Sequence, residues 1–210
     1  MFTPKIKEDK NDYIVYSGNI QELKEKKEIF CISIDVGVKN FAIRGEIRRD
    51  GKFFMAKFFE KISFQEEKLY EATLNPETLK TAICYIKERW KFFQKADLVV
   101  VERQLAANPP CRMIFNVVMT TLLGGLDTLK KGVVITDINP KCKGRYLYAG
   151  RGLRGNQLKE WSSEKALEIC RERGDIWSEQ WLKYAKGKRK SDDLADTICQ
   201  LEAFFIMISE

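Results

Sequence analysis

The chain has 210 residues, 44% of them hydrophobic, enough for one domain with a sizeable core and too short for two comfortable ones. Lysine and arginine outnumber aspartate and glutamate by 37 to 30, a formal charge of +7 that favours a polyanionic partner. Histidine is absent, which removes Ser-His-Asp and Cys-His catalysis and histidine zinc sites together, so any chemistry must run on carboxylates, lysines or metals.

Residues 1–27 are a mixed-charge stretch without a secretory core, and no apolar run reaches the roughly 18 residues that span a bilayer. They are expected to form a loose N-terminal arm ahead of a single domain over 28–210, in a soluble intracellular protein without a membrane partner. The six cysteines are widely spaced with no C-x-x-C pair, so reduced and mostly buried thiols are expected.

Residues 29–35 read as a buried strand that ends, unusually, in a carboxylate, Asp35, before Gly37 closes it. Phe41, Ile43 and Ile47 then alternate with Arg44, Glu46 and Arg48, and Asp50-Gly51 offers a hairpin turn into a strand over 52–59. Asn75-Pro76-Glu77 supplies a cap, a proline and a first-turn acid for a helix carrying Leu79, Ala82, Ile83, Ile86, Trp90 and Phe93. A second buried strand, 98–101, again runs into an acid, Glu102. A helix over about 112–129 and a strand at 133–135 follow.

Residues 139–159 are Gly-rich and free of acids, and carry Lys141, Lys143, Arg145, Arg151, Arg154 and Lys159, the pattern of an exposed basic loop suited to phosphates. Ser162-Ser163-Glu164 can start a helix that Gly174 ends. A second acid-free basic stretch, 183–190, includes Lys188 and Arg189 and leads into a final helix that runs to about 208. Tyr146, Tyr148 and Trp161 could stack on bases or be partly buried.

Asp193 and Asp196, three apart at the start of that helix, project from one face within reach of a common ion. Alone, Asp35 or Asp193 could be a turn or cap residue, and Glu102 a strand end reaching solvent. Converging carboxylates cannot stay ionised together without cations, and hard divalent ions prefer oxygen donors. Magnesium or manganese, as a pair of ions, would let an enzyme without histidine cut a phosphodiester.

These residues also carry a resemblance. Ile34-Asp35-Val36-Gly37-Val38-Lys39-Asn40 resembles the D-[IV]-G-x-K-N opening of the poxvirus-type Holliday-junction resolvases, and Val101-Glu102-Arg103-Gln104 resembles their E-[RK]-Q motif. Lys190-Ser191-Asp192-Asp193-Leu194-Ala195-Asp196-Thr197 is similar to their K-x-D-D-[VL]-A-D-S segment.

The resemblance implies an α/β, ribonuclease H-like fold, a mixed five-stranded sheet flanked by helices. It implies that Asp35, Glu102, Asp193 and Asp196 bind two Mg2+ ions, Mn2+ substituting, in a homodimer that nicks four-way DNA junctions symmetrically. Asp192 is left as a cap or outer acid. A catalytic lysine is expected at Lys143, with Lys165 as rival. Lys39, Arg103, Lys141, Lys143, Arg145, Arg151, Arg154, Lys188 and Arg189 are the expected DNA contacts. The apolar face of the 112–129 helix, with Met113, Val117 and Leu122, is the expected dimer interface or else core. A viral origin would place the activity at sites of viral DNA replication in the host cytoplasm. Two other readings stay open: a nuclease of the same fold acting on flaps, forks or RNA–DNA hybrids, and a non-catalytic DNA-binding module.

Overall fold

The computed structural model describes residues 12–65, 74–104, 107–148, 153, 155–186 and 192–210. Its centre is a mixed sheet of six strands, β1 (Tyr13–Ser17), β2 (Glu28–Asp35), β3 (Phe41–Arg49), β4 (Lys52–Ile62), β5 (Leu98–Glu102) and β6 (Val134–Ile138), in the order β1-β6-β5-β2-β3-β4. β2, β3 and β4 form an antiparallel meander, and β5 and β6 add parallel to β2. Asp50 and Gly51 join β3 to β4 with φ of 49° and 75°, the double positive φ that a two-residue hairpin turn needs.

The sixth strand comes from within the stretch expected as an N-terminal arm, of which residues 1–11 lie outside the described residues. Tyr13–Ser17 pairs antiparallel with β6. It is fastened by the Ile14 N–H and the Tyr16 hydroxyl, which donate to the Asp137 carboxylate at 3.0 and 2.9 Å. The Thr136 hydroxyl also donates to the Ile14 carbonyl at 2.9 Å. A short helix, α1 (Ile20–Lys24), then carries the chain to β2, with Leu23 buried.

Strand alternation assigns the two faces. Ile32, Ile34, Val99 and Val101 point to one side, under α2 (Pro76–Glu88), α3 (Trp90–Phe93) and α4 (Pro109–Gly124). Asn75 accepts from the Glu77 N–H at 2.9 Å, the cap its sequence promised. Leu122 of α4 is fully buried in this core, while Met113 and Val117 pack partly buried at its margin.

Cys31, Leu98, Val100 and Val134 point to the other side, where α8 (Asp192–Ser209) crosses with Leu201 and Phe204 buried against them. Burying each such side chain contributes about 1.5–3 kcal/mol. Cys31, Cys142, Cys170 and Cys199 are buried, Cys111 is partly so and Cys84 is exposed. Among the described residues no helix is long and apolar enough to cross a membrane.

The basic loop expected over 139–159 is not a loop at its described ends. Lys141–Tyr146 is a helix, α5, whose Cys142 is buried and whose first turn is held by the Lys141 N–H donating to Asn139 Oδ1 at 3.0 Å. α6 (Asn156–Glu172) begins six residues before Ser162, and Lys183 lies in a further helix, α7 (Ile176–Lys186). Arg151, Arg154, Lys188 and Arg189 lie outside the described residues.

The polar face of β3 is not solvated either. Arg44, Glu46 and Arg48 are 0, 0 and 2% exposed beneath α6, α7 and α8, so their charges are matched internally. Glu46 takes Arg44 Nε and Arg48 Nε, each at 2.8 Å, and Arg173 Nη2 at 3.3 Å. Asp175 takes Arg44 Nη2 at 2.6 Å, and Glu202 takes Arg48 Nη2 at 2.7 Å.

Candidate active site

Register brings the two strand-end acids together. Cys31 pairs with Leu98 and Ser33 with Val100 across β2 and β5, so Asp35 and Glu102 continue the same row on the α8 side. Gly37 must follow Asp35 because a Cβ there would lie 2.8 Å from the Asn40 carbonyl oxygen. On α8, Asp193 and Asp196 face this row from above, with Leu194, Ala195 and Ile198 buried beside them.

Asp35 and Glu102 stand close enough that each shifts the protonation of the other. Lys143, brought in by α5, stands between elements, its ammonium 2.7 Å from Glu102 Oε1 and 3.0 Å from Asp196 Oδ1. The contact with Glu102 Oε1 is an ion pair without hydrogen-bond geometry, so this buried oxygen keeps acceptor capacity. Ser162 of α6 donates to Asp196 Oδ1 at 2.5 Å. Lys61 of β4 is ion-paired with Asp193. Its place follows from register, since Asp35 pairs with Ala42 and Ala42 with Lys61.

The electrostatics follow from burial and this crowding. Burial, and then the charges of Glu102 and Asp196, push the Asp35 carboxyl well above the usual range. Burial also opposes ionisation of Glu102, but the Lys143 charge leads the effects that outweigh it, and its pKa is lowered. The two carboxyls titrate as a pair, and ionisation is opposed most at Asp35. Burial raises Asp196 against the pull of Lys143, and raises Asp193 against that of Lys61. Lys143 would lose its proton on burial alone, and the three surrounding carboxylates hold its pKa well above normal.

Of the expected lysines, Lys143 lies among the carboxylates and Lys165 does not: Lys165 pairs with Glu168 at 2.8 Å, beside Tyr146, Tyr148 and Arg173. Asp192 pairs with Lys159 at 2.8 Å, apart from the cluster. Lys39 lines a cleft of roughly 330 Å³ that also holds Asp35, Asn40, Gln104 and Asp193. Arg103 is turned away onto Asp137, with Nη2 2.5 Å and Nε 2.9 Å from its oxygens, and Arg145 is paired with Asp12. Lys141 is exposed. Tyr148 is 89% exposed, whereas Tyr146 donates to Asp12 at 3.1 Å and Trp161 packs on the core.

Lys61 and Ser162 were missed from sequence. The expected strand stopped at 59, two residues short of Lys61, and the expected helix began at Ser162, which put its hydroxyl in a cap instead of against Asp196.

Among the described residues, no three acids or cysteines converge closely enough to hold a metal ion as they stand. The donor set nevertheless fits one. Four carboxylates meet two lysines here and every donor is a hard oxygen, while burial and then the charges of Glu102 and Asp196 oppose ionisation of Asp35.

No family model matches the chain, and no curated protein does. Among solved structures, the fold is similar to the yeast mitochondrial Holliday junction resolvase Ydc2, with TM-score 0.55 and 14% identity over 85% of this chain and 80% of that one. It is also similar to Thermus thermophilus RuvC in complex with a Holliday junction substrate, with TM-score 0.51 and 13% identity over 83% of this chain and 92% of that one. The fold is therefore ribonuclease H-like, as the motifs implied, with one strand more than expected.

Proposed function

We propose that the chain is a divalent-metal-dependent endonuclease that resolves four-way DNA junctions by paired nicks, acting as a homodimer. The observation that carries this reading is the meeting of Asp35, Glu102 and Asp196 around one lysine, from two parallel strands and a crossing helix. Such convergence of buried acids is costly and has no packing rationale. The likeness of fold to two junction resolvases and the three sequence motifs support the same substrate. The poxvirus-like form of those motifs suggests a role in viral DNA recombination or concatemer resolution.

Asp35, Glu102, Asp193 and Asp196 would hold two ions, Mg2+ or Mn2+. When bound, such ions activate water and stabilise the leaving oxygen of a phosphodiester. The chain's own groups prepare that site. Lys143 bridges Glu102 and Asp196, and is the cation placed to meet a phosphate. Ser162 fixes the rotamer of Asp196, and Lys61 holds Asp193 at the cleft that Asp35 and Lys39 share. A C2 dimer suits a junction that needs two matched cuts.

The test is cleavage of an end-labelled immobile four-way junction beside duplex, flap and RNA–DNA hybrid of matched sequence, with Mg2+, Mn2+ or EDTA. Symmetric, metal-dependent nicks confined to the junction are expected. Preferred cutting of flaps or hybrids would reassign the substrate, and binding without cutting under either metal would reject the enzyme.

A further inference from the structure

Helix α7 presents an aromatic face that the core covers only in part. Gly174, at φ of 69°, ends the preceding turn, and Asp175 starts α7 by accepting the Ser178 N–H at 3.2 Å. Ser178 and Leu182 then turn inward, 0 and 1% exposed, with the Ser178 hydroxyl accepting from Arg44 at 2.7 Å. On the adjoining face Trp177, Trp181 and Tyr184, spaced i, i+4, i+7, are 46, 40 and 66% exposed around a shallow cleft shared with Gln180. Three large aromatic side chains exposed together on one helix face form a contiguous apolar patch and not scattered single residues.

Two further observations identify the occupant. The Trp177 and Trp181 rings lean on Phe59 of β4, with centroids 6.2 and 6.3 Å away, and Phe59 stands two residues from Lys61 on the same side of that strand. At roughly 3.3 Å per residue, the aromatic face begins about 7 Å along β4 from the lysine that grips Asp193. Charge is the second. The one acid of α7, Glu179, is taken up by two cations, Arg171 and Lys183, at 2.8 and 2.7 Å, which leaves a net positive charge beside the rings. A second copy of the chain would bring like charge against this surface, whereas a polyphosphate backbone would be attracted to it.

We propose that Trp177, Trp181 and Tyr184 form a stacking platform for unpaired bases of the nucleic-acid substrate, beside the carboxylate cluster. Flat aromatic faces accept any base, and neighbouring lysines neutralise its phosphate, so the platform is sequence-tolerant and salt-sensitive. The inference rests on the nuclease reading and narrows its substrate: strands whose bases are already exposed or splayed, at a branch point or a gap, are held in preference to intact duplex.

The experiment is a titration of the full chain in EDTA with an oligothymidine single strand, and separately with a blunt duplex, followed by tryptophan fluorescence and anisotropy. Quenching by the single strand and little by the duplex is expected. Trp177→Leu with Trp181→Leu keeps apolar cover on Phe59 and should abolish most of the quenching and weaken single-strand binding about 10-fold or more. Trp181→Phe should restore much of the affinity, which a purely structural role would not discriminate.

Undiminished single-strand binding by the double variant would overturn the platform. So would a dimer that loses its mass on the same substitutions and keeps these rings dry when DNA is bound. Quenching without cleavage of any branched substrate would instead sink the nuclease reading and leave the platform standing.

Discussion

The side-chain amide of Gln200 donates to the carbonyl oxygen of Val100 at 3.1 Å. The same nitrogen lies 3.4 Å from the Ile34 carbonyl, so one fully buried side chain, a turn beyond Asp196, ties α8 to the strands ending in Asp35 and Glu102. Gln200→Leu is expected to cost about 1–3 kcal/mol, because it leaves these carbonyls short of a donor in the core. Urea denaturation measures it, and a loss below about 0.5 kcal/mol would show that the tie is dispensable.

Replacing Asp35 or Asp196 by Asn should abolish metal-dependent cutting while leaving junction binding in place, since phosphate attraction comes from the basic surface. Gel-shift and nicking assays on the same preparations separate the two. Cutting that survives either change in clean protein would remove these residues from the catalytic set.

Lys143 and Lys165 should behave differently. Lys143→Met removes a buried cation held by two carboxylates at 2.7 and 3.0 Å, and is expected to lower single-turnover cleavage by about 10²–10³-fold. Lys165→Met loses only a partly exposed pair with Glu168, within about 1 kcal/mol of stability, and should leave cleavage unchanged. A larger loss at Lys165 would exchange the two assignments.

The network around Glu46 predicts an acid limb of stability. Burial opposes the Glu46 charge, but Arg173, Arg48 and Arg44 overcome it and hold its pKa far below the ordinary glutamate value of 4.5. The unfolded chain therefore takes up this proton first. Stability is whole above about pH 4.5 and falls as pH drops toward the folded value. Glu46→Gln should destabilise by about 3–5 kcal/mol at neutral pH and flatten that acid limb in thermal melts. An unchanged slope would assign the acid sensitivity to other carboxylates.

Much of the site was legible because strand parity is a local property. Asp35 and Glu102 each close an apolar run, and parallel pairing of two such runs puts both acids on one face. Lys143 was legible as catalytic only through the resemblance, since its basic segment read as a loop whereas residues Lys141–Tyr146 form a helix with Cys142 buried. Lys61 depends on the register across three strands, which a hairpin bulge can shift. β3 shows the limit most clearly: alternating apolar and charged residues describe a half-wet strand, and nothing in that pattern reveals that Arg44, Glu46 and Arg48 neutralise one another under three helices. β1 was hidden for the reverse reason, as a short strand in a charged stretch whose partner lies more than a hundred residues away.

That separation bears on how the molecule is made. Tyr16 contacts Asp137 across 121 positions, so β1 leaves the ribosome long before the edge it completes exists. Pairings so distant in the chain are slow to close and leave strand edges open meanwhile. The helix carrying Asp193 and Asp196 is synthesised after every strand of the sheet. A nascent chain can therefore build most of its scaffold first, and it brings its four clustered acids together only when that helix docks.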